Sequence, residues 1–371
     1  MLTDKKIHFI SMDIPFPPNY GGVIDVFFKL RAMHQVGIKI YLHLYGSSSC
    51  GIEELKPFTE EIYYYPIKKN PIYFLKSSPF SVKSRRGEEL LKNIKRIKAP
   101  IFFESLKTTE VLNLDCLEDY PKYLRLHNIE QNYYKGLASS EKNKLKRLIY
   151  ALEAIKYVRY EQIIDQMDEV FTLSKFEQDY IKEKFNKGKY IPVFHGNNDL
   201  PKLKEFGKYV MYHGDLRTAD NCKVVEFLID VFKKLDYPLV IASSIKEEWV
   251  KSKIKSSTNI KFVKLNDFSH LLQLFQEAHV NVAWSFQESG TKLKVINALF
   301  NSRYSVINKN IIDDENIEKL CFKVENESEL IVTITTLMDQ PFLPSQAYQS
   351  VLKNYLNDGN NVVNLLNTIF V

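Results

Sequence analysis

Short apolar runs alternate with amphipathic stretches through the first half of the chain. The runs at 7–12, 39–45, 61–65, 99–103, 123–127 and 169–173 have the length and composition of buried strands. Apolar residues recur at helical spacing near 22–36, 51–57, 84–97, 106–113, 140–166 and 174–186. Alternation of this kind predicts βα units built on a parallel sheet.

A second alternating series begins near Lys208. Its predicted strands are 209–213, 238–242, 260–263, 280–283 and 304–308, and its predicted helices are 219–235, 246–254, 267–277, 291–301 and 326–339. A His-Gly-Asn-Asn-Asp-Leu-Pro segment within 194–204 separates the two series. We therefore predict an α/β protein of two doubly wound, Rossmann-like domains that face a cleft, spanning 1–195 and 196–343. The last segment, 344–371, is predicted to be helical and to return to the first domain.

Such a layout favours a transfer reaction between two substrates. Open parallel sheets bind ligands beyond the carboxyl ends of their strands. Two such domains that face each other would hold one substrate each, which a simple binding protein does not need.

The composition narrows the class of protein. The 371 residues are 45% hydrophobic and 26% charged, which is typical of a globular protein. No apolar run reaches the length of a membrane span, and we expect no signal peptide, so we predict a cytoplasmic protein. The four cysteines form no CxxC pair, which argues against a zinc site or a disulfide framework. The net charge of +6 suits an anionic substrate or membrane surface but is too small to indicate nucleic acid.

A Gly21-Gly22 pair lies between the first predicted strand and the first predicted helix. Adjacent glycines let the backbone approach a ligand closely, and the following helix start offers N–H groups to an anion. A phosphate-bearing substrate is one interpretation, and a purely structural turn is the other.

Polar residues follow the predicted strand 123–127. His127 could donate to a sugar hydroxyl or stabilise a developing charge. Glu130 could orient His127, or it could be the carboxylate that begins the next helix. A polar strand exit that satisfies local backbone groups is the alternative.

The first strand of the second series ends in Gly214-Asp215-Leu216 and meets a helix start. Gly214 would allow a close backbone approach, and Arg217 could contact phosphate. Helix capping by Thr218 or Asp220 explains the same residues without a ligand.

A Glu288-Ser289-Gly290-Thr291-Lys292-Leu293-Lys294 segment follows the strand near 280–283 and opens an amphipathic helix. Lysine in the first turn opposes the helix dipole, so Lys292 and Lys294 are more easily explained by an anionic ligand than by helix stability. With Gly290 and Thr291 they form a candidate pyrophosphate cradle. The alternative is a solvated basic turn.

Two basic amphipathic stretches, 83–98 and 142–159, could lie on an anionic membrane. Each could equally be a surface helix that packs by its apolar stripe.

The glycine pair, His127, the turn at 214–216 and the helix start at 290–294 follow one another along the chain in the same order as motifs of a known family. They resemble the retaining glycosyltransferases of the GT-B fold, in the family-four-like group that is also called glycosyl transferases group 1. That group has a Gly-Gly loop, a His at a mid-domain strand end, a Gly-x-Leu turn and a Gly-x-Lys-x-Lys helix start. The matching positions are Gly21, Gly22, His127, 214–216, 290–294 and 297–298. Ser174 resembles the serine that opens the last helix of the first domain, and Pro192 with Gly196 and Asn197 resembles the interdomain linker.

The resemblance implies a nucleotide-sugar donor in the second domain, an acceptor in the first, and no metal or cofactor. It places Gly21 and Gly22 near the reaction centre, His127 near the transferred sugar and Lys294 at the pyrophosphate. Glu288 would contact sugar hydroxyls. The donor site would comprise Gly214, Arg217, Glu288, Ser289, Gly290, Thr291, Lys292, Lys294 and Asn297.

Three positions depart from the group. Asp215 and Asp220 stand where the group has an Arg and a Lys for phosphate, and Asn297 stands where it has a ribose-binding Glu. Arg217, Lys292 and Lys294 are candidates to replace the lost cations. We interpret the chain as a divergent branch of the group.

The resulting hypothesis is a metal-independent hexosyltransferase that extends a saccharide or lipid-linked saccharide in the biosynthesis of capsule, O-antigen or exopolysaccharide. Peripheral contact with the inner face of the membrane would suit such an acceptor. The alternatives are a GT-B sugar-nucleotide epimerase and a non-catalytic carbohydrate-binding or assembly subunit.

Overall fold

The computed structural model describes residues 3–18, 20–287 and 292–370, and the chain divides into two compact units. The first unit comprises residues 1–194 and 358–371, and the second comprises 195–357. The segment that joins the first unit therefore starts at Asp358, whereas the sequence prediction started it at 344. Across the described residues, no helix is long and apolar enough to cross a membrane.

Within its described residues, the first unit is built on a seven-stranded sheet of order β3-β2-β1-β4-β5-β6-β7 in which every pairing is parallel. The strands are β1 (Lys6–Ser11), β2 (Lys39–Gly46), β3 (Glu61–Pro66), β4 (Ile101–Glu104), β5 (Lys122–Leu126), β6 (Glu169–Thr172) and β7 (Lys189–Tyr190). The helices are α1 (Gly21–Gln35), α2 (Phe80–Lys83), α3 (Glu88–Ile94), α4 (Glu130–Ser140), α5 (Lys144–Tyr160) and α6 (Lys175–Phe185), with 3-10 turns at Glu53–Phe58, Pro71–Leu75, Leu106–Asn113 and Glu161–Gln166.

The described part of the second unit has a six-stranded parallel sheet of order β10-β9-β8-β11-β12-β13. Its strands are β8 (Tyr209–His213), β9 (Leu239–Ser243), β10 (Ile260–Lys264), β11 (Ala278–Ala283), β12 (Tyr304–Ile307) and β13 (Phe322–Lys323). Its helices are α7 (Ala219–Phe232), α8 (Glu247–Ile254), α9 (Phe268–Glu277), α10 (Leu293–Asn301), α11 (Glu315–Glu318), α12 (Glu327–Met338) and α13 (Gln346–Ser350), and a π-helical turn (Val351–Tyr355) follows α13.

The last helix, α14 (Asp358–Ile369), completes the apolar core of the first unit. Its buried Val362, Leu365 and Leu366 belong to one cluster with residues of β1, β2 and α1. Helix α1 contributes to the same cluster because its apolar residues recur at three- and four-residue spacing on one face.

The strand order of each sheet defines a switch point. In the first unit the chain moves outward from β1 to β3 and then restarts on the other side of β1 with β4. In the second unit the corresponding reversal lies between β8 and β11. Ligands of doubly wound folds bind at such reversals, beyond the carboxyl ends of the strands.

The predicted helix 84–97 is wrong in its extent. The chain forms α2 and α3 instead, with a break at residues 84–87. A methyl group at Gly87 would lie 2.6 Å from Cα of Val111, so the backbones are too close for any other residue. Both Leu90 and Ile94 are fully buried, so the apolar stripe of this basic stretch is part of the core.

A chain of buried hydrogen bonds crosses β1, β2 and β3. His8 Nε2 lies 2.8 Å from the Ile97 carbonyl, which can only accept, so His8 Nδ1 must accept from His43 Nε2 at 3.0 Å. His43 Nδ1 then accepts from the Tyr65 hydroxyl at 2.9 Å. Burial lowers the pKa of His8 and holds the pKa of His43 well below its usual range, so both rings are neutral.

Candidate active site

The Gly21-Gly22 pair begins α1 directly after the loop that follows β1, at the switch point of the first sheet. A methyl group at Gly22 would lie 3.1 Å from Met12 Cε, 3.3 Å from Tyr20 Cε2 and 3.8 Å from His127 Nδ1. A methyl group at Gly21 would have no heavy atom within 4 Å. The structure thus brings Gly22 and His127 together, and only Gly22 has a packing reason to be glycine.

His127 follows the last residue of β5, and its Nε2 lies 2.7 Å from Oε2 of Glu104, the last residue of β4. Both side chains are almost completely buried. Because a carboxylate only accepts, Nε2 carries the proton of this bond and Nδ1 is the nitrogen on the side of Gly22. A buried carboxylate that fixes a histidine tautomer is a recurrent device of acid–base and hydrogen-bonding sites.

Sequence reasoning missed Glu104 and proposed Glu130 for this role. Glu130 is the first residue of α4, and its Oε1 accepts from Ser105 Oγ at 3.2 Å and Lys107 Nζ at 3.1 Å. Its role at a helix start agrees with the second of the two interpretations offered for it. The signal for Glu104 was a carboxylate at the end of an apolar strand.

Four buried charges extend from Glu104 into the core. The Lys29 ammonium bonds the other oxygen of Glu104 and lies 2.7 Å from Asp25 Oδ2. Asp25 in turn pairs with Arg125 at 3.1 Å. Burial would raise the pKa of Asp25, but Arg125 and Lys29 outweigh burial and hold this pKa below its usual range. The charges of the two anions and the two cations therefore sum to zero in a buried region.

This cluster also fixes the end of the first unit. Arg125 donates to the carbonyls of Thr172 and Ile191 at 3.1 and 2.9 Å, and the Phe194 N–H donates to Asp25 at 2.9 Å. The charged chain thus joins α1, β4 and β5 to the backbone that follows β7.

Asp25, Glu104 and His127 offer ligand atoms within 4.8 Å of one another, the kind of group that can hold a metal ion. The Lys29 ammonium, however, already bonds both carboxylates. A metal ion would have to displace this cation, so the residues fit a protein-supplied positive charge better than a metal centre.

Lys294 is the second residue of α10 and lines a pocket near the carboxyl ends of β8 and β11. Its Nζ lies 3.4 Å from the Trp284 carbonyl and 5.0 Å from the centre of the Tyr212 ring. Within the described ranges, no carboxylate lies within ion-pair distance of this ammonium. The pocket is lined by His213, Asn281, Val282, Ala283, Lys294, Val295, Ala298 and Ser305.

The electrostatics of this pocket depend on a poorly hydrated cation. Burial, assisted by Lys292, lowers the pKa of Lys294 to about 7. Burial and the Lys294 charge lower the pKa of His213 to about 3. His213, which sequence reasoning missed, is therefore a neutral hydrogen-bonding group at the end of β8. An anion that entered the pocket would favour the protonated form of Lys294.

Arg217 is paired with Asp215 and not free. Its Nε and Nη2 lie 2.9 and 2.7 Å from Asp215 Oδ2, and both side chains are exposed. Thr218 caps α7 by accepting from the Asn221 N–H, as the capping alternative predicted. A methyl group at Gly214 would lie 2.9 Å from the Tyr212 hydroxyl, so local packing gives a reason for glycine here without a ligand.

The carboxylate of Asp220 holds the loop after β11. It accepts from Ser285 Oγ at 2.7 Å and from the Phe286 N–H at 3.0 Å. Asp220 also raises the pKa of Lys294 and of Lys292, against the larger effect of burial. An acidic residue at this position thus supports the loop and the nearby cations.

Asn297 is buried on α10, and its Oδ1 accepts from Asn197 Nδ2 at 2.9 Å. Asn301 Nδ2 bonds Asn197 Oδ1 at 2.8 Å, which completes a network within the second unit. Lys292 precedes α10, and burial lowers its pKa. The predicted residues Glu288, Ser289, Gly290 and Thr291 lie outside the described residues.

We compared the sequence of the chain with those of known proteins. No family model matches the chain. An uncharacterized 44.6 kDa protein in the cps region of Klebsiella pneumoniae is 26% identical over 322 residues, 81% of this chain and 82% of that protein.

Solved structures similar to this chain include GT-B glycosyltransferases and a sugar-nucleotide epimerase. Sucrose-phosphate synthase from Thermosynechococcus elongatus has a TM-score of 0.63 at 15% identity, covering 99% of this chain and 95% of that one. HepE from Anabaena, in complex with UDP and glucose, has a TM-score of 0.64 at 13% identity, covering 98% and 100%. UDP-GlcNAc 2-epimerase from Neisseria meningitidis is similar at a TM-score of 0.59 and 10% identity, covering 99% of each chain. These likenesses and the two parallel sheets define the GT-B fold.

Proposed function

We propose that this protein is a glycosyltransferase that moves a sugar from a nucleotide-sugar donor to a saccharide or lipid-linked saccharide. The observation that carries the proposal is Lys294, which lines a small pocket of four polar and four apolar residues at the start of α10 and has no carboxylate partner among the described residues. A helix N-terminus and a poorly hydrated ammonium together suit a diphosphate. The fold shared with HepE, which was solved with UDP and glucose, supports a donor of this kind.

The residues of the second unit would stabilise the leaving group. In the transfer, the bond between the anomeric carbon and the donor diphosphate breaks, the acceptor oxygen forms the new bond to that carbon, and the proton of the acceptor hydroxyl passes to an oxygen of the departing diphosphate. Negative charge develops on the departing diphosphate, and Lys294, Lys292 and the N–H groups of α10 would offset it. The neutral His213 would hydrogen-bond without competing for positive charge.

The residues of the first unit would orient the reacting sugar. Glu104 holds His127 Nε2–H, which leaves Nδ1 as the ring nitrogen that would face a sugar hydroxyl beside Gly22. Lys29 bonds the other carboxylate oxygen of Glu104 and also pairs with Asp25, which in turn pairs with Arg125. Glu104 is therefore a positioning residue, and His127 is the group that would meet the substrate.

We extend the proposal to a metal-independent hexosyltransferase that retains anomeric configuration and acts in the cytoplasm on surface polysaccharide. The relative in the cps region of Klebsiella pneumoniae supports polysaccharide biosynthesis, and the motif resemblance supports retention. NMR of the product anomeric proton tests retention, and activity after treatment with a chelator tests metal independence. An inverted product or lost activity would contradict the respective part.

A thermal-shift screen against UDP-, GDP-, ADP-, TDP- and CMP-sugars tests the donor. A ligand that binds the folded protein raises its unfolding temperature. The Lys294→Met variant should lose this shift, whereas Lys255→Met, at an exposed position in the same unit, should keep it. No shift with any nucleotide would favour a non-catalytic subunit.

The likeness to UDP-GlcNAc 2-epimerase keeps an epimerase as the second candidate. NMR of the sugar nucleotide without acceptor separates the two activities. A transferase leaves the donor sugar unchanged or releases it, whereas an epimerase converts it to an epimer still attached to the nucleotide.

A further inference from the structure

Helix α5 presents an apolar stripe to solvent. Leu145, Leu148, Leu152, Ile155 and Val158 are between 43% and 67% exposed. Their spacing of three and four residues places them on one side of the helix, whereas the buried Glu153, Ala154 and Tyr157 form the side that packs on the protein. From Leu145 to Val158 the stripe is about 20 Å long at the helical rise.

A second apolar group lies beside this stripe. The turn Pro71–Leu75 exposes Ile72, Phe74 and Leu75, and Leu75 is 85% exposed. Lys156 Nζ of α5 donates to the Phe74 carbonyl at 2.8 Å, which joins the turn to the helix. We name the eight exposed apolar residues of α5 and this turn the apolar patch. Contiguous exposed apolar patches mark surfaces that meet a partner or a membrane.

The two segments that carry the apolar patch are rich in basic residues. Segments 66–80 and 142–159 carry nine Lys and Arg residues against one acidic residue, Glu153, a formal charge of +8. The whole chain has a charge of +6, so the rest of it is net acidic. Glu153 is buried and paired with Lys156, so this pair adds no net charge and the other eight basic residues account for the charge of +8. The positive charge is therefore concentrated where the apolar side chains are exposed.

We infer that this surface docks on an anionic lipid bilayer. Apolar side chains of α5 and the turn would enter the interfacial region, and the surrounding cations would meet lipid headgroups. The inference deepens the proposed function, because a bilayer-bound enzyme could reach a lipid-linked saccharide. It also separates the two basic stretches predicted from sequence. The stripe of 83–98 is buried, and the Arg85 guanidinium donates to the Met12 and Ser81 carbonyls, whereas the stripe of 142–159 is exposed.

Vesicle co-sedimentation tests the inference without any need for turnover. The probes would be two kinds of vesicle. One is phosphatidylcholine alone, and in the other about 30 mol% of the lipid is phosphatidylglycerol, which mimics an anionic leaflet. We expect the wild type to bind the anionic vesicles, and binding to weaken with added salt. Binding to neither vesicle would overturn the inference. A dimer that dissociates when residues of the apolar patch are replaced would assign the surface to a second copy of the chain. That result would also overturn the inference.

Matched variants locate the surface. Leu145→Ser, Leu148→Ser, Leu152→Ser and Ile155→Ser combined should reduce vesicle affinity by at least about tenfold, because each buries apolar area on insertion. Phe268→Ser, Val332→Ser and Leu343→Ser, exposed apolar positions of the second unit, should not. Lys144→Gln with Arg147→Gln should weaken binding by roughly fivefold per charge, and Lys92→Gln with Lys98→Gln should weaken it less. Equal losses in both charge pairs would contradict the assignment to α5.

Nucleotide binding serves as the separate readout. The apolar-patch variant should keep the thermal shift given by a nucleotide-sugar, which shows that it is folded. Loss of vesicle binding with retained nucleotide binding supports the docking surface. Vesicle binding in a protein that binds no nucleotide would instead contradict the proposed function and leave the docking surface intact.

Discussion

Nε2 of His127 lies 2.7 Å from Oε2 of Glu104, at the ends of two neighbouring strands. This bond decides which ring nitrogen carries the proton, and Glu104 is itself bonded to buried charges that reach back to Arg125. In the proposed reaction, His127 would meet the substrate and these charges would only position it.

Replacement of Glu104 by Gln should reduce turnover by roughly tenfold to a hundredfold, part of the effect of a well-placed acid–base or hydrogen-bonding group. Nucleotide affinity should not change, because Lys294 lies in the other unit. Steady-state kinetics and calorimetry separate the two. Glu161 is a buried and paired carboxylate of the same unit, and the control variant Glu161→Gln should lower the unfolding temperature without a selective loss of turnover. An equal effect of both variants on turnover would reduce Glu104 to a stabilising residue.

Substitution of Lys294 by Met should weaken nucleotide binding by roughly tenfold to a hundredfold, the range expected for a lost charge-assisted hydrogen bond. Lys292→Met should have a smaller effect, because its side chain does not line the pocket. Calorimetry with the nucleotide found in the screen measures both. Unchanged affinity in the Lys294 variant would remove the proposed diphosphate contact.

Nucleotide-sugar affinity should fall as pH rises above about 7. The pKa of Lys294 is about 7 in the free protein, and a bound diphosphate would raise it, so binding above pH 7 requires proton uptake. The dissociation constant should increase by up to about tenfold per pH unit. Calorimetry in buffers of different ionisation enthalpy would detect the proton. The Lys294→Met variant should bind with no such uptake.

The Gly22→Ala variant should impair transfer more than nucleotide binding. Its methyl group would lie 3.1 Å from Met12 Cε and 3.3 Å from Tyr20 Cε2, so these two side chains must move by a few tenths of an ångström. Because a misplacement of about 1 Å at a reacting group can cost about a hundredfold, this smaller movement should reduce turnover by roughly threefold. Gly21→Ala is the matched control, because its methyl group would meet no atom within 4 Å. Equal turnover in the two variants would contradict the proposed role of Gly22.

Stability should fall as the pH falls below about 6.5, the ordinary histidine pKa. The folded-state pKa values of His8 and His43 lie below that of the unfolded chain, so the unfolded state binds more protons in this range. Each histidine contributes at most about 1.4 kcal/mol per pH unit. Urea unfolding at several pH values should show a smaller pH dependence for His8→Gln with His43→Gln than for wild type. His34→Gln, at an exposed position, should behave as wild type.

Periodicity predicted the parallel sheets because their strands are continuous apolar runs. It missed α4, whose sequence contains Gly136 and few apolar residues, and it merged α5 with the following 3-10 turn. It also missed the two-residue strands β7 and β13. Helix α4 is held by tertiary contacts with α5, which a local pattern does not contain.

The sequence motifs proposed His127 and Lys294 as site residues, and the structure shows which groups contact them. Glu104, Lys29 and Asp25 are distant in sequence from His127, and each alone resembles an ordinary surface charge. The pairing of Arg217 with Asp215 was equally invisible, because it depends on rotamers. Charge networks of this kind are properties of the folded chain.

The position of α14 in the first core has a consequence for synthesis on the ribosome. Residues of this helix cover an apolar surface made by β1 and α1, which are among the first segments to emerge. The whole second unit is translated between them. Part of the core of the first unit therefore stays exposed until α14 has been translated. The second unit can complete its fold as soon as it has left the exit tunnel. Chaperone demand during translation should fall on the amino-terminal half of the chain.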